Sequence, residues 1–306
     1  MEHNAAFYDF TQQLQGTMLQ AALRLTPRDP AAPAPPLLLQ LRQGFAESPA
    51  WLLVQAAEFE PEPLSVERLR LRAIWSSEPI MTALLDLMVA EKWLDRRGAD
   101  YYLLPAGDVL KHRLIGRPQQ LIEPLETITG TLDLNRLEKL MKRVLDAMSD
   151  CPTPPGDWCL RYSRRRTPNG KAVARVFHYF SDFNAFRDDS HMAALLPHKV
   201  EGCVWEAFRC IGLGSAHDAD TLFEQLAYRG FARADYLLAL DDLVRRGWVV
   251  CGDHGCTMTN EGEAVVAEVE RQTDQYFYAA WSCLSTAESD ELDRMLEQLD
   301  AVLQSA

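Results

Sequence analysis

The chain has 306 residues, 47% of them hydrophobic and 25% charged, with a net charge of −13. That composition is ordinary for a globular protein with room for two or three domains. No apolar run approaches the roughly 20 residues of a membrane span, and the start MEHNAAFYDF lacks the basic region and apolar core of a secretory signal, so a cytoplasmic protein with no membrane partner is expected.

In chain order, residues 5–26 read as a helix with Phe7, Phe10, Leu14, Leu19 and Leu23 among its apolar positions. The Pro-rich stretch from Thr26 to Pro36 is expected to be extended, as a linker or arm. Residues 37–58 are apolar and helix-like, interrupted near Ser48-Pro49. A short amphipathic helix over Pro63 to Ala73 comes next, then a second over about Ser77 to Lys92 carrying Ile80, Met81, Leu84, Leu85 and Met88. Trp93-Leu94 and Tyr101 to Leu103 follow as short strand-like stretches. Leu121 to Met148 is helical by periodicity. Its stripe of Leu134, Leu137, Met141, Leu145 and Met148, on a helix that Asp133 could cap, predicts a core or a dimer seam. Trp158 to Arg165 and Lys171 to Tyr179 alternate like strands around Arg166-Thr-Pro-Asn-Gly170, which predicts a β-hairpin over residues 157–180 with a basic tip.

The most informative stretch runs from Asp220 to Ala267. Asp220 is placed to cap a short helix with Leu222, Phe223 and Leu226 on its apolar face. After Gly230 a second helix carries Tyr236, Leu237, Leu240 and Leu243, and Gly247 ends it. Trp248-Val-Val250, the turn Gly252-Asp-His-Gly255 and Cys256-Thr-Met258 then predict a small hairpin, with Thr259 capping a further helix. The same pattern occurs 155 residues earlier. Leu71 matches Leu226, Leu85 matches Leu240, Met88 matches Leu243, Trp93 matches Trp248, Leu103 matches Met258 and Gly107 matches Gly262. The chain closes with Ser285 capping a helix that carries Leu292, Met295, Leu299 and Leu303.

The run Leu243-Val-Arg-Arg-Gly-Trp248 and, after the turn, Met258-Thr-Asn-Glu-Gly262 resemble the wing and following helix of MarR-type and PadR-type transcription regulators. The order Phe186-Arg-Asp-Asp-Ser-His191, this stretch, then Thr273 to Trp281 resembles a group of actinobacterial helix-turn-helix proteins. The resemblance implies winged helix-turn-helix folding, binding of double-stranded DNA in transcription regulation, and a homodimer joined through terminal helices. The expected fold class is α+β, mostly α, with two winged helix-turn-helix domains joined by a helical segment and a β-hairpin. The expected division is a helix and Pro-rich arm over 1–36, winged-helix domain one over 37–118, a helical linker with the basic hairpin over 119–196, and winged-helix domain two with C-terminal helices over 197–306.

Charge divides these regions. Residues 197–306 carry 8 Lys and Arg against 20 Asp and Glu, a balance of −12, whereas the other 196 residues carry 23 against 24. DNA binding depends on neutralising phosphates, so the expected contacts are spread outside the acidic end. They are Arg68, Arg70, Arg72, Ser77 and Thr82 around the first helix pair, Arg96 and Arg97 on the first wing, and Arg164, Arg165, Arg166 and Lys171 on the expected hairpin. Arg233, Arg245 and Arg246 complete the set on the second domain. The acidic end itself fits a basic protein or peptide partner, the alternative reading.

The seven cysteines contain no C-x-x-C pair and read as reduced thiols, with Cys251 and Cys256 able to face each other across the second wing as a redox pair. His178, His191 and His198 match no metal-ligand spacing. No cofactor, metal or catalytic residue is expected, and the chain reads as a non-enzyme.

Overall fold

The structure, a computed structural model, describes residues 5–26, 48–151 and 158–305. Most of the Pro-rich arm and the start of the stretch from residue 37 lie outside the described residues. The elements run α1 (Ala5–Leu25), α2 (Pro49–Phe59), β1 (Leu64–Ser65), α3 (Val66–Arg72), α4 (Glu78–Ala90), β2 (Leu94–Arg97), β3 (Asp100–Leu103) and α5 (Pro105–Ile122). They continue as α6 (Leu134–Ser149), α7 (Trp158–Arg164), α8 (Ala172–Leu195), α9 (Gly202–Gly212), α10 (Ala219–Gln225), α11 (Arg233–Arg245), β4 (Val249–Gly252), β5 (Gly255–Met258), α12 (Asn260–Ala279) and α13 (Thr286–Gln304). The described residues are thus mostly helical with two small antiparallel sheets, as the sequence predicts.

Two compact units form. One combines Ala34–Lys111 with Leu195–Arg271, and the other combines Met1–Pro33, His112–Ala194 and Gln272–Ala306. The two stretches that the sequence suggests as separate domains therefore share one unit.

Within that unit the local chemistry explains each element. Ser65 and Ser77 accept hydrogen bonds from the Arg68 and Ile80 amides and cap α3 and α4. Strand β3 is central, pairing with β2 (Arg96 opposite Tyr101) and with β1 (Leu64 opposite Tyr101). The later segment repeats the plan at an offset of 155: α4, β2, β3 and the start of α5 correspond residue for residue to α11, β4, β5 and the start of α12. Finer details repeat too. The Trp93 amide donates to the Met88 carbonyl at 3.0 Å, and Trp248 donates to Leu243 at 3.0 Å. The Leu104 and Thr259 amides then return to the carbonyls of Trp93 and Trp248 at 2.9 and 3.0 Å. Gly107 and Gly262 sit so close to those tryptophan carbonyls that an added Cβ would lie 2.3 Å away in both cases. The segments differ at the sheet, because β4–β5 has only two strands.

Two local expectations change here. Asp218, not Asp220, caps α10. Its carboxylate accepts from the Thr221 amide at 2.8 Å, while Asp220 engages Arg233. On α11, Tyr236, Ala239, Leu240 and Leu243 are buried, and Leu237 faces out.

The other unit is a helical cluster. Phe7, Leu14 and Met18 of α1 pack with Leu137, Met141 and Leu145 of α6, with Val176, Phe180 and Phe183 of α8, and with Leu292, Leu299 and Leu303 of α13. Asp133 caps α6 as expected, donated to by Arg136 at 2.9 Å. The stripes on α6 and α13 are buried in this core, so neither is a free dimer seam. The expected continuous helix from Leu121 to Met148 is interrupted by a 3-10 turn over Glu123–Thr127.

The β-hairpin expected over 157–180 is not formed, because both arms are helical, α7 and α8. The reason is tertiary. The carboxylate of Asp189, thirty residues on, accepts from the backbone amides of Cys159 and Leu160 at 3.0 Å each and caps the start of α7. In α8 the apolar positions Val173, Val176, Phe180 and Phe183 follow helical spacing into the core.

Candidate nucleic-acid interface

The α10–α11 pair is followed by the β4–β5 hairpin, in the order helix, turn, helix, hairpin. After α10 a 3-10 turn over Ala227–Arg229 leads to Gly230, whose φ of +75° suits glycine. Helix α11 starts with the Ala232 amide donating to Asp235 at 2.7 Å and ends at Gly247, φ +76°. The Trp248 ring then lies 5.3 Å from that of Phe208, fixing the hairpin to α9.

The outward side of α11 consists of Arg233, Ala234, Leu237, Leu238, Asp241, Val244 and Arg245, with Leu238 67% exposed. Three of these are large apolar side chains, two are arginines and one is an acid. Arg233 is held by both oxygens of Asp220, and that hydrogen bond keeps the Asp220 carboxyl below its usual range. Arg245 pairs with Asp242 at 2.7 Å yet stays 74% exposed. Arg246 has a structural role. It donates to Asp242, to the His198 carbonyl at 2.9 Å and to the Lys199 carbonyl at 3.2 Å, and its guanidinium lies 5.1 Å from the Trp248 ring centre.

A groove of about 430 Å³ runs beside α11, lined among others by Lys199, Glu201, Cys203, Phe231 and Leu238. Burial pushes the Cys203 thiol up to about 11, so it stays protonated there.

The matching helix of the first segment, α4, is closed at its N-terminus. Ser77 is 5% exposed; its hydroxyl donates to the Gly230 carbonyl at 2.8 Å and its amide to the Arg229 carbonyl at 2.9 Å. Ser77 therefore serves packing between the two segments. Thr82 is half-buried. Arg72 is also withdrawn, paired at 3.2 Å with the fully buried Glu58. Arg68 bonds Asp100 and the Pro63 carbonyl, and Arg70 bonds Glu78.

The first wing remains accessible. Arg96 pairs with Asp86 at 3.2 Å and lies over Tyr101, and Arg97 pairs with Asp95 at 2.8 Å and lies over Tyr102. Their side chains are 50% and 66% exposed, and exposed pairs of this kind contribute only about 0–1 kcal/mol, so phosphate can replace the carboxylate.

The basic residues expected on a ribbon tip stand instead on the α7–α8 connection. Arg164 reaches Asp146 at 2.8 Å, Lys171 bonds Glu126, and Arg165 lies 4.8 Å from the Tyr162 ring centre. Arg166 follows α7, its amide donating to the Ser163 carbonyl. No β-ribbon exists there to enter a groove.

The two segments that carried the second resemblance meet in the helical unit. Arg187 pairs with Asp274 at 2.7 Å and stacks over Tyr8, and His191 lies 3.2 Å from the Thr273 hydroxyl. Among the described residues, no three His, Cys, Asp or Glu side chains are grouped to hold a metal, and no helix is long and apolar enough to cross a membrane.

A helix-turn-helix family model matches residues 103–306, which takes in α5 through α13 and leaves α2–α4 outside. No curated protein and no solved structure matches the chain.

Proposed function

The chain belongs to this helix-turn-helix family, and from that premise we propose that it is a DNA-binding transcription regulator built as two winged helices in tandem, of MarR or PadR type. The observation that carries the reading is the asymmetry of the two helix pairs. Helix α4 is closed at Ser77 by the Arg229–Gly230 turn, whereas α11 and its hairpin stand open. In this reading α11 enters the major groove, and the exposed Arg96, Arg97 and Arg245 hold phosphates. The test is binding to pooled genomic DNA fragments across a salt series. Affinity falling steeply with salt supports the reading, and no binding at low salt overturns it.

The exposed Leu237, Leu238 and Val244 on α11 favour a second reading, a protein- or peptide-binding module on the acidic end of the chain. A stoichiometric protein partner whose binding is lost in Leu238→Glu, without any DNA binding, selects it over the first.

A further inference from the structure

The two hairpins hold the same register pair in different ways. In the first, Arg96 faces Tyr101 and the guanidinium lies 5.4 Å from the ring centre. At the corresponding positions of the second, Cys251 faces Cys256 and the two sulfurs are bonded, where the sequence suggested reduced thiols. The surroundings differ as well. Strand β3 has β1 on its far edge, while among the described residues β5 carries there the bond from the Cys256 amide to the His217 carbonyl at 2.7 Å. A two-stranded hairpin of four-residue strands has little stability of its own, and the cross-link ties β4 to β5 directly.

We propose that Cys251 and Cys256 form a reversible thiol–disulfide exchange site, with small-molecule disulfides and dithiols as its reactants, and that its state sets the stiffness of the β4–β5 hairpin. Access fits the chemistry. Cys251 is exposed and Cys256 is buried against the hairpin, while Cys159, Cys203 and Cys210 are buried. Burial raises the thiol pKa of Cys203 and Cys210, which keeps them unreactive. In oxidation the Cys251 thiolate attacks one sulfur of the small disulfide, whose S–S bond breaks and releases one thiolate. The Cys256 thiolate then attacks the Cys251 sulfur of the mixed disulfide and releases the second. The two protein thiols lose two electrons to the small disulfide, and their two protons end on the two thiols released. A dithiol runs the same steps in reverse.

The cross-link has a route to the helix pair. Cys256 is bonded to His217, and the His217 and Asp218 amides both donate to the Thr221 hydroxyl at the start of α10. Freeing the hairpin therefore loosens the edge on which α10 begins.

The test uses the full chain equilibrated in glutathione buffers of graded oxidised-to-reduced ratio. Alkylation and mass spectrometry report the pair, and amide hydrogen exchange reports residues 249–258. The pair is expected to titrate from bonded to reduced within the series, with hairpin amides exchanging roughly tenfold faster or more when reduced. The Cys251→Ser, Cys256→Ser double variant should show the fast exchange in every buffer. A pair that stays reduced in the most oxidising buffer, or stays bonded under excess dithiothreitol, overturns the proposal. So does equal exchange in the two states, or a double variant whose hairpin still responds to the buffer. None of these readouts depends on DNA, so the proposal and the regulator reading stand or fall separately.

Discussion

Arg245 and Arg246 are neighbours with opposite tasks. Arg246 ties the end of α11 to the His198 and Lys199 carbonyls, whereas Arg245 points to solvent with one exposed ion pair. Arg246→Ala should lower stability by about 1–3 kcal/mol, because two carbonyls and Asp242 lose a charged donor. Arg245→Ala should stay within about 0.5 kcal/mol. Urea unfolding of both variants checks this, and equal effects would refute the division of roles. Gly262 makes a sharper case. A Cβ there would lie 2.3 Å from the Trp248 carbonyl oxygen and 2.9 Å from Met258, so Gly262→Ala should cost about 1–3 kcal/mol. An unchanged unfolding midpoint would contradict that packing. Glu288 sets a pH dependence. The Ser285 amide first, then Arg143, holds its carboxyl down to about 2, below the ordinary 4.5. A depressed carboxyl contributes stability that is full above its unfolded value and is lost as pH falls through the folded one. Glu288→Gln should therefore flatten the loss of stability between pH 4.5 and 2, read from unfolding midpoints at several pH values.

At the scale of elements, legibility followed range. Helix α11, the β4–β5 hairpin and the cap of α6 are legible because each is specified within a few residues: helical spacing of Leu240 and Leu243, glycine at the turn, Asp133 three residues before Arg136. The segment 157–180 predicts a hairpin yet folds as helices, because its pattern supports two periods at once. Ala172-Val-Ala-Arg-Val-Phe-His-Tyr-Phe180 alternates, yet Val173, Val176 and Phe180 also fall on one helical face. Asp189 decides the start of α7 from far away in sequence. Asp189→Ala should cost about 1–3 kcal/mol by leaving two buried amides without an acceptor, with loss of helical circular dichroism below the main transition. If stability is unchanged, α7 is not held by that cap.

At the scale of the molecule, charge and the unit boundaries matter most. Nearly every arginine expected to hold phosphate is already placed against a carboxylate or a ring, because the chain is rich in acids. Any DNA contact must exchange those partners, and binding should weaken steeply with salt because each neutralised phosphate releases counterions. Arg96→Glu with Arg97→Glu should abolish it in an equilibrium titration at low salt. Retention of full affinity would move the phosphate contacts away from the first wing.

From its sequence alone, the chain determined its mostly helical class, the second helix pair with its hairpin, and the same pattern 155 residues earlier. These rest on periodicity, caps and turn glycines, all local. Tertiary structure alone decided that the two similar segments share a unit, that Ser77 is spent on the Gly230 turn, and that the basic stretch near Arg164 is helical. It also placed apolar side chains on the open face of α11 and joined Cys251 to Cys256. The physical reason is that exposure, ion pairing and capping by distant carboxylates depend on which surfaces meet. Residue spacing says which face a side chain takes, but not what lies opposite that face.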